Sequence, residues 1–505
     1  MTSSNAATIT GFHAADPERL ALAIPATGES VTYGELRARA EAFNGGLAAA
    51  GFGRDSRILL AGPIGVDFYA LALALAGGAR TLVLVDGTMD RRRLLGALRA
   101  ARADAIVGPG DLLRKWWLIP PLWRAARYSV GARARGTRSH LTLAGAPRPL
   151  TDSPDDTVAN ISFTSGSSGR AKGVVRTHAV AGAQVAALDA ALPLGPTDVE
   201  MTAFPAVVFR NMFSGATSVL PPMDLRAPAT VDPVPVLAAL RAHDVTALSG
   251  APVFIERLAT HAATGTRLPR LRRVVIGGAP VSRRLCALVQ QGFPGAEGIV
   301  VYGSTEAEPV SVIGIDEVLS TAGDGYLVGR PIASADVELL TLPDVVAHPL
   351  TPDQLRAART SDGEVVVRGP HVARRYVNDP EAFDRNKIQS TDGSVWHRMG
   401  DLARRDAAGR LWLLGPRGTT VGGRYPFVVE TRAQDIDGVR NAGFVAHPGA
   451  PSGELAVVVS DPAAAASVRA AFPELRVCTI DTMPVDRRHH SKIDRARLAE
   501  LLSPT

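Results

Sequence analysis

Cysteine is nearly absent from this chain: Cys286 and Cys478 stand alone and far apart in 505 residues. That excludes a disulfide framework and a Cys-based metal cluster, and it leaves two incidental thiols in a reducing compartment. Lysine is almost as scarce. Of 55 basic residues only Lys115, Lys172, Lys387 and Lys492 are lysines. The chain writes arginine wherever a cation suffices, so a lysine that persists marks a place where a compact ammonium is wanted. Aromatics make up 5% of the chain, and no apolar run is long enough to cross a bilayer; Tyr69 to Gly78 is the longest. Met1 to Phe12 lacks the basic and apolar regions of a secretory leader, which makes the cytoplasm the expected location. The net charge of +6 is not gathered into Lys/Arg blocks, which argues against nucleic acid as a partner.

What is present is ordinary globular composition, 46% hydrophobic and 21% charged, enough for a sizeable core and for more than one domain. Up to about residue 330 short β-branched runs alternate with helical stretches. Arg57–Ala61, Thr81–Val85, Asp104–Val107, Val158–Phe163, Thr246–Ser249, Arg273–Ile276 and Ile299–Tyr302 read as strands, with helices over Asp67–Ala76 and Arg91–Arg102. This rhythm predicts α/β architecture with parallel sheets. Beyond it Asp336–Leu340, Glu364–Arg368 and Arg410–Leu414 are strands among turns, which predicts an antiparallel portion. The Gly-rich stretch Gly415 to Gly423 marks a boundary. The expected domains are 1–415, made of two α/β sheet subdomains and a small β-barrel-like portion, and 416–505, a small mobile α+β domain ending in a basic helix over Asp494–Leu502.

The segment Arg114–Arg124 holds three of the five tryptophans beside basic residues. It reads either as a contact for a membrane surface or a partner enzyme, or as a packed loop over an apolar pocket.

The richest chemistry lies in Thr164-Ser165-Gly166-Ser167-Ser168-Gly169-Arg170-Ala171-Lys172-Gly173. A strand runs into hydroxyls and glycines closed by a lysine, with a helix soon after. Glycines let backbone N–H groups turn toward phosphate oxygens, hydroxyls donate, and the lysine meets the charge. It is not a Walker A loop, because the order is Lys then Gly. Gly277-Gly278-Ala279-Pro280 and Tyr302-Gly303-Ser304-Thr305-Glu306 each follow a strand, the position where open α/β sheets bind ligands. Gly278, Ala279 and Pro280 can line a flat base, Tyr302 can stack on it, and Glu306 is a hard oxygen ligand suited to Mg²⁺ on phosphates. A strand-end turn explains either loop as well. Gly400-Asp401 places a carboxylate, a good acceptor for ribose hydroxyls, just before the strand at 410–414. A turn or capping Asp would look the same. Lys492 lies in the tail, where an ammonium can stabilise charge on a reacting carboxylate and α-phosphate; a solvated surface cation is the plainer alternative.

In this order the segments resemble the adenylate-forming superfamily of acyl-CoA synthetases, luciferases and peptide-synthetase adenylation domains. Thr164–Gly173 looks like its phosphate loop, Gly277–Pro280 like its adenine-side loop, and Tyr302–Glu306 like its adenine and magnesium motif. Gly400-Asp401 looks like its ribose motif, and Lys492 sits where its catalytic lysine does. The resemblance implies ATP and Mg²⁺ as cofactors, with Lys492, Glu306 and Lys172 in catalysis and Glu306 and Thr164 at the metal. It also implies nucleotide contacts from Thr164 to Gly169, Lys172, Gly278 to Pro280, Tyr302 to Thr305, Asp401 and Arg417. A closer resemblance is to the β-lactone synthetases of long-chain olefin biosynthesis, carried by Met223-Asp224, Pro228–Pro233, Tyr302–Val310, Trp396–Asp401 and Pro484–Lys492. That family implies activation of a long-chain β-hydroxy acid as its adenylate, then attack by its own hydroxyl to close a lactone. A fatty acyl-CoA or acyl-carrier ligase shares the first half-reaction and is the alternative. Phe204, Phe209, Met212 and Phe213 fall where relatives line the acyl pocket, and equally read as core.

Departures from the superfamily pattern are few. Ser168 replaces Thr, and Ala171 replaces Pro. Relatives carry a Gly-Arg pair before the domain hinge; here Pro416 separates Gly415 from Arg417, which leaves the hinge position open, with Thr420 one candidate. His489-His490 reads as local packing or exposed surface rather than as a general base.

Overall fold

A computed structural model describes residues 9–164, 171–346, 349–447, 450–486 and 491–503. Ser165, Gly166, Ser167, Ser168 and Gly169 of the expected phosphate loop, and His489-His490, lie outside the described residues. The chain divides into two compact units. One comprises 1–222, 305–308 and 369–387, the other 223–304, 309–368 and 388–505.

The first unit is built on an eight-stranded sheet. Its middle runs Val158–Thr164, Thr81–Val85, Arg57–Leu60, Ala105–Pro109, Ala126–Val130 and Arg138–Ser139, all parallel. Ile58, Leu59, Val83 and Ile161 are buried, as expected of strands covered on both faces. The connecting helix Val66–Ala76 is apolar almost all round and buried along its length. Two antiparallel strands, Lys172–Thr177 and Arg375–Tyr376, complete one edge. A second, four-stranded set runs Val199–Thr202, Thr217–Val219, Leu20–Ile24 and Glu29–Thr32.

The second unit contains the parallel strands Ala247–Gly250, Arg273–Gly277 and Glu297–Ser304. It also holds the expected antiparallel portion, in which Tyr326–Pro331, Leu411–Pro416, Val395–Arg405, Asp362–Arg368 and Asp336–Leu340 pair in that order. Its C-terminal part is α+β. A three-stranded sheet, Val439–His447, Ala450–Val459 and Arg476–Thr479, carries the helices Pro426–Gln434, Pro462–Ala471 and Arg495–Leu502. The residue 415/416 boundary expected from sequence falls at the end of the strand Leu411–Pro416, inside this unit.

Two local readings differ from the sequence. A strand, Lys172–Thr177, antiparallel to Val158–Thr164, stands between the expected phosphate loop and the helix His178–Ala191, where the sequence pattern predicts only a helix soon after. Asp401 sits within the strand Val395–Arg405, not in a turn ahead of the next one. The run Arg398-Met399-Gly400-Asp401 has neither alternation nor β-branching to reveal it.

Candidate active site

In the first unit the hairpin register places Thr164 directly across from Lys172 and Phe163 across from Gly173. The two ends of the Ser/Gly loop are therefore fixed opposite one another. Gly173 is required there: a Cβ would lie 2.4 Å from Val377 and 2.7 Å from Phe163. The Lys172 side chain is buried, and its ammonium donates to Asn386 Oδ1 at 3.1 Å. Asn386 in turn donates to the Ala382 carbonyl at 2.7 Å, one turn back in the helix Pro380–Asn386.

Beside this pair lies a residue the sequence reading passed over. Lys387 is fully buried; its ammonium donates to the Ala373 carbonyl and stands 5.4 Å from the centre of the Tyr376 ring. The Tyr376 hydroxyl donates to Glu306 Oε1 at 2.9 Å, and the Glu306 carbonyl accepts from the Ala373 N–H at 2.7 Å. Burial pulls the Lys387 amine down to about 7, with Glu306 opposing that shift and Lys172 adding to it. Burial first, then the Glu306 charge, holds the Tyr376 hydroxyl in its protonated, donating form. Arg176, paired with Asn160 across the hairpin, donates to Ser162 Oγ at 3.1 Å and to the Thr305 carbonyl. The result is a partly buried carboxylate, Glu306, gripped through side chain and backbone, with two lysines close enough to act on one another.

In the second unit Gly277 pairs with Val301, so the Gly278-Ala279-Pro280 loop and Tyr302 leave neighbouring parallel strands at their carboxyl ends. Tyr302 is buried, and its hydroxyl donates to Asp401 Oδ2 at 2.9 Å. Gly400 adopts φ +77 with open space where a Cβ would stand, so backbone conformation and not room reserves it for glycine. Burial pushes the Asp401 carboxyl above its ordinary range, against the opposing pull of Lys492 and the Tyr302 hydroxyl. Lys492 itself is exposed. Its loop is tied by Asp486, whose Oδ1 accepts from the backbone N–H groups of Ser491 and Lys492 at 3.2 and 2.9 Å. Within this unit the structure thus gathers Tyr302, Asp401 and the charge of Lys492.

Arg417 donates to Glu364 Oε2 at 3.3 Å, and its backbone N–H bonds the Gly400 carbonyl at 2.8 Å. Asp401 faces Pro416 in the ladder, and proline has no N–H to give; the residue after it supplies the next bond. Glu364 is buried and also accepts from Arg398 Nε and Nη2 at 2.9 and 2.6 Å. Nothing in the sequence singled out Glu364, and Arg398, inside the Trp396–Asp401 stretch, was given no role of its own. Ser304 Oγ lies 3.4 Å from His397 Nε2, and Gly303 is partly exposed.

The four expected acyl-pocket residues divide. Met212 is fully enclosed in a core cluster with Phe12 and Tyr33, whereas Phe209 and Phe213 pack on the rim of that cluster. Phe209 meets Tyr69 edge-on at 5.3 Å, and Phe204 is half-buried, its N–H held by Thr202 Oγ1 at 3.1 Å. Cys286 is buried with its thiol pushed up to about 12, and Cys478 to about 11, by desolvation in each case. These are the incidental thiols that the sequence suggested.

The family model described as "AMP-binding enzyme" matches residues 12–377. The chain belongs to the AMP-binding enzyme family. It is an adenylate-forming ligase. The curated relatives include the olefin beta-lactone synthetase of Stenotrophomonas maltophilia, 33% identical over 93% of this chain and 91% of that protein. The olefin beta-lactone synthetase of Xanthomonas campestris pv. campestris is likewise 33% identical, over 93% and 90%. Among solved structures the amide bond synthetase McbA from Marinactinospora thermotolerans superposes with a TM-score of 0.80 at 24% identity, covering 99% of this chain and all of its own. ATP-bound MatB from Rhodopseudomonas palustris superposes with a TM-score of 0.81 at 22% identity, covering 99% of both chains. At these identities the structures establish the shared fold. Among the described residues no helix is long and apolar enough to cross a membrane.

Proposed function

We propose that this ligase uses ATP to activate a long-chain β-hydroxy acid and then closes it to a β-lactone. One observation carries the choice of product: both olefin beta-lactone synthetases align with the chain at 33% identity over nine-tenths or more of each protein's length. In the first step a carboxylate oxygen of the acid bonds to the α-phosphorus and pyrophosphate leaves. In the second the β-hydroxyl oxygen bonds to the carbonyl carbon, AMP leaves, and the hydroxyl proton is released. A tethered nucleophile held in line has an effective molarity of about 10⁵ M or more, which offsets the strain of a four-membered ring.

The residues divide the work. Lys172 meets the phosphates, and the Thr164 hydroxyl with the Glu306 carboxylate would hold Mg²⁺, a hard cation suited to oxygen ligands of this kind. Bound there, it would neutralise triphosphate charge. Glu306 suits the task because Tyr376 and the backbone fix its position. Asp401, aligned by the Tyr302 hydroxyl, accepts from the ribose hydroxyls, and Gly278 to Pro280 border the base. Lys492 stabilises charge where the acid meets the α-phosphate.

The test is incubation of a long β-hydroxy acid with ATP and Mg²⁺ in the absence of CoA. AMP and a lactone carbonyl should appear together, and the same acid lacking the hydroxyl should give no lactone. AMP release that requires CoA would replace this reading with an acyl-CoA ligase.

A further inference from the structure

The net charge of +6 is not spread evenly along the chain, as its composition suggested. Residues 90–138 hold twelve basic residues against three acidic ones, a net of +9, so the rest of the chain is net −3. This stretch also holds Arg114–Arg124, which the catalytic assignments above leave unused.

The structure shows how that segment is built. Leu113 and Leu122 are buried in one core cluster with Ala97, Leu98 and Ile106, and Trp116 and Ile119 pack against it. Between these anchors the chain forms two short 3₁₀ turns, Trp116–Leu118 and Pro120–Leu122. The turns are held from inside. Trp123 Nε1 donates to the Trp117 carbonyl at 3.0 Å, Trp116 Nε1 donates to the Arg135 carbonyl at 3.3 Å, and the Arg127 guanidinium lies 3.9 Å over the Trp116 ring. With its anchors buried, the segment turns other apolar side chains outward. Trp117 is 53% exposed, Leu118 57% and Trp123 58%, with Leu112 alongside at 46%. These four are half of the conspicuously exposed large apolar side chains among the described residues. Lys115, Arg124, Arg133, Arg135 and Arg138 are exposed in the same stretch. The helix Arg91–Ala101, whose Arg91, Arg92 and Arg99 are also exposed, packs against the second turn.

From this we infer that the turn Leu112–Trp123 is a docking surface for an anionic phospholipid bilayer. Tryptophan and leucine tips enter the headgroup–acyl boundary while the surrounding arginines and Lys115 meet lipid phosphates. Exposed tryptophan beside cations is the composition that membrane interfaces favour. A nucleic acid or an acidic protein would account for the cations but would leave Leu112 and Leu118 in water. The surface lies wholly within the first unit and stands on exposure and charge alone, independent of the lactone reading.

Flotation of the full chain with phosphatidylcholine vesicles, with and without phosphatidylglycerol, tests it. The chain should float with the anionic vesicles and not with the neutral ones, and rising salt should release it. The variant Lys115→Gln/Arg124→Gln/Arg135→Gln should bind roughly 100-fold more weakly, at about fivefold per charge near the surface. Trp117→Ser/Leu118→Ser should lower binding at least about tenfold while adenylate formation on a short, soluble acid without lipid stays unchanged. Flotation that ignores lipid charge, or survives both variants, overturns the proposal. So does an equal loss of lipid-free activity, which would make the turn a folding element. Salt-sensitive binding to single-stranded RNA, or to a partner protein, without any vesicle flotation would overturn it in favour of that partner.

Discussion

Lys387 offers the sharpest test of the site, because its environment makes stability and acidity report on one another. Burial lowers its amine from the usual 10.5 to about 7. That displacement corresponds to about 5 kcal/mol against holding the proton in the folded chain. The folded pKa lies below the unfolded one. Between the two the unfolded chain holds the proton and the folded chain has released it, so stability climbs with pH from about 7 to about 10.5. Replacing the amine by Lys387→Met removes that dependence, since methionine fills similar space with no charge to desolvate. The stability difference between wild type and variant should therefore move by about 2 kcal/mol in favour of wild type as pH rises from about 7 to about 9. Titrating groups remote from the amine are common to both proteins and cancel. Guanidinium unfolding of both, at the two ends of that window, measures it. Adenylation should fall in the variant most clearly below about pH 7, where the folded amine still carries the proton that faces Tyr376 and Glu306. Parallel pH curves would refute the reasoning: the amine would then titrate alike in the folded and unfolded chains.

Three further outcomes follow from the same geometry. Asp401→Asn should weaken ATP binding about 10- to 100-fold by calorimetry, the loss of charge-assisted bonds to two hydroxyls, and unchanged affinity would remove the ribose role. Lys492→Ala should reduce acid-dependent ATP–pyrophosphate exchange by about 10²-fold or more with ATP affinity nearly intact; equal loss of both would mean misfolding instead. Glu364→Ala leaves buried Arg398 without its carboxylate and should cost about 3–5 kcal/mol in unfolding free energy, well above the cost of an exposed pair; a loss under about 1 kcal/mol would show that the pair is not held in the buried form described.

Much of the fold was legible because its signals are local. Strands such as Thr81–Val85 are short apolar runs bounded by turns, and they stand where the sequence puts them. The strand Lys172–Thr177 was not legible, since its reason to exist is a partner on either side, Val158–Thr164 and Arg375–Tyr376, the latter about 200 residues away. Asp401 was recognised as a carboxylate of interest, yet its strand was hidden by a glycine at φ +77 and a proline opposite, both of which disfavour strands in isolation.

The site divides along the same line. The residues proposed to meet a ligand sit in short motifs, so Glu306, Tyr302, Asp401, Lys172 and Lys492 could be named from the chain. The residues that hold them are chosen by burial, which leaves no motif: Tyr376, Asn386, Glu364 and Arg398 each act on a partner distant in sequence. Lys387 is the exception that a compositional argument could have caught. In a chain that spends arginine freely, a guanidinium could not fill a fully enclosed space over the Tyr376 ring without its five donors finding acceptors, nor could it shed its proton there. The scarcity that drew attention to Lys172 and Lys492 applies with equal force to Lys387, and the buried amine is where that scarcity has its clearest physical cause.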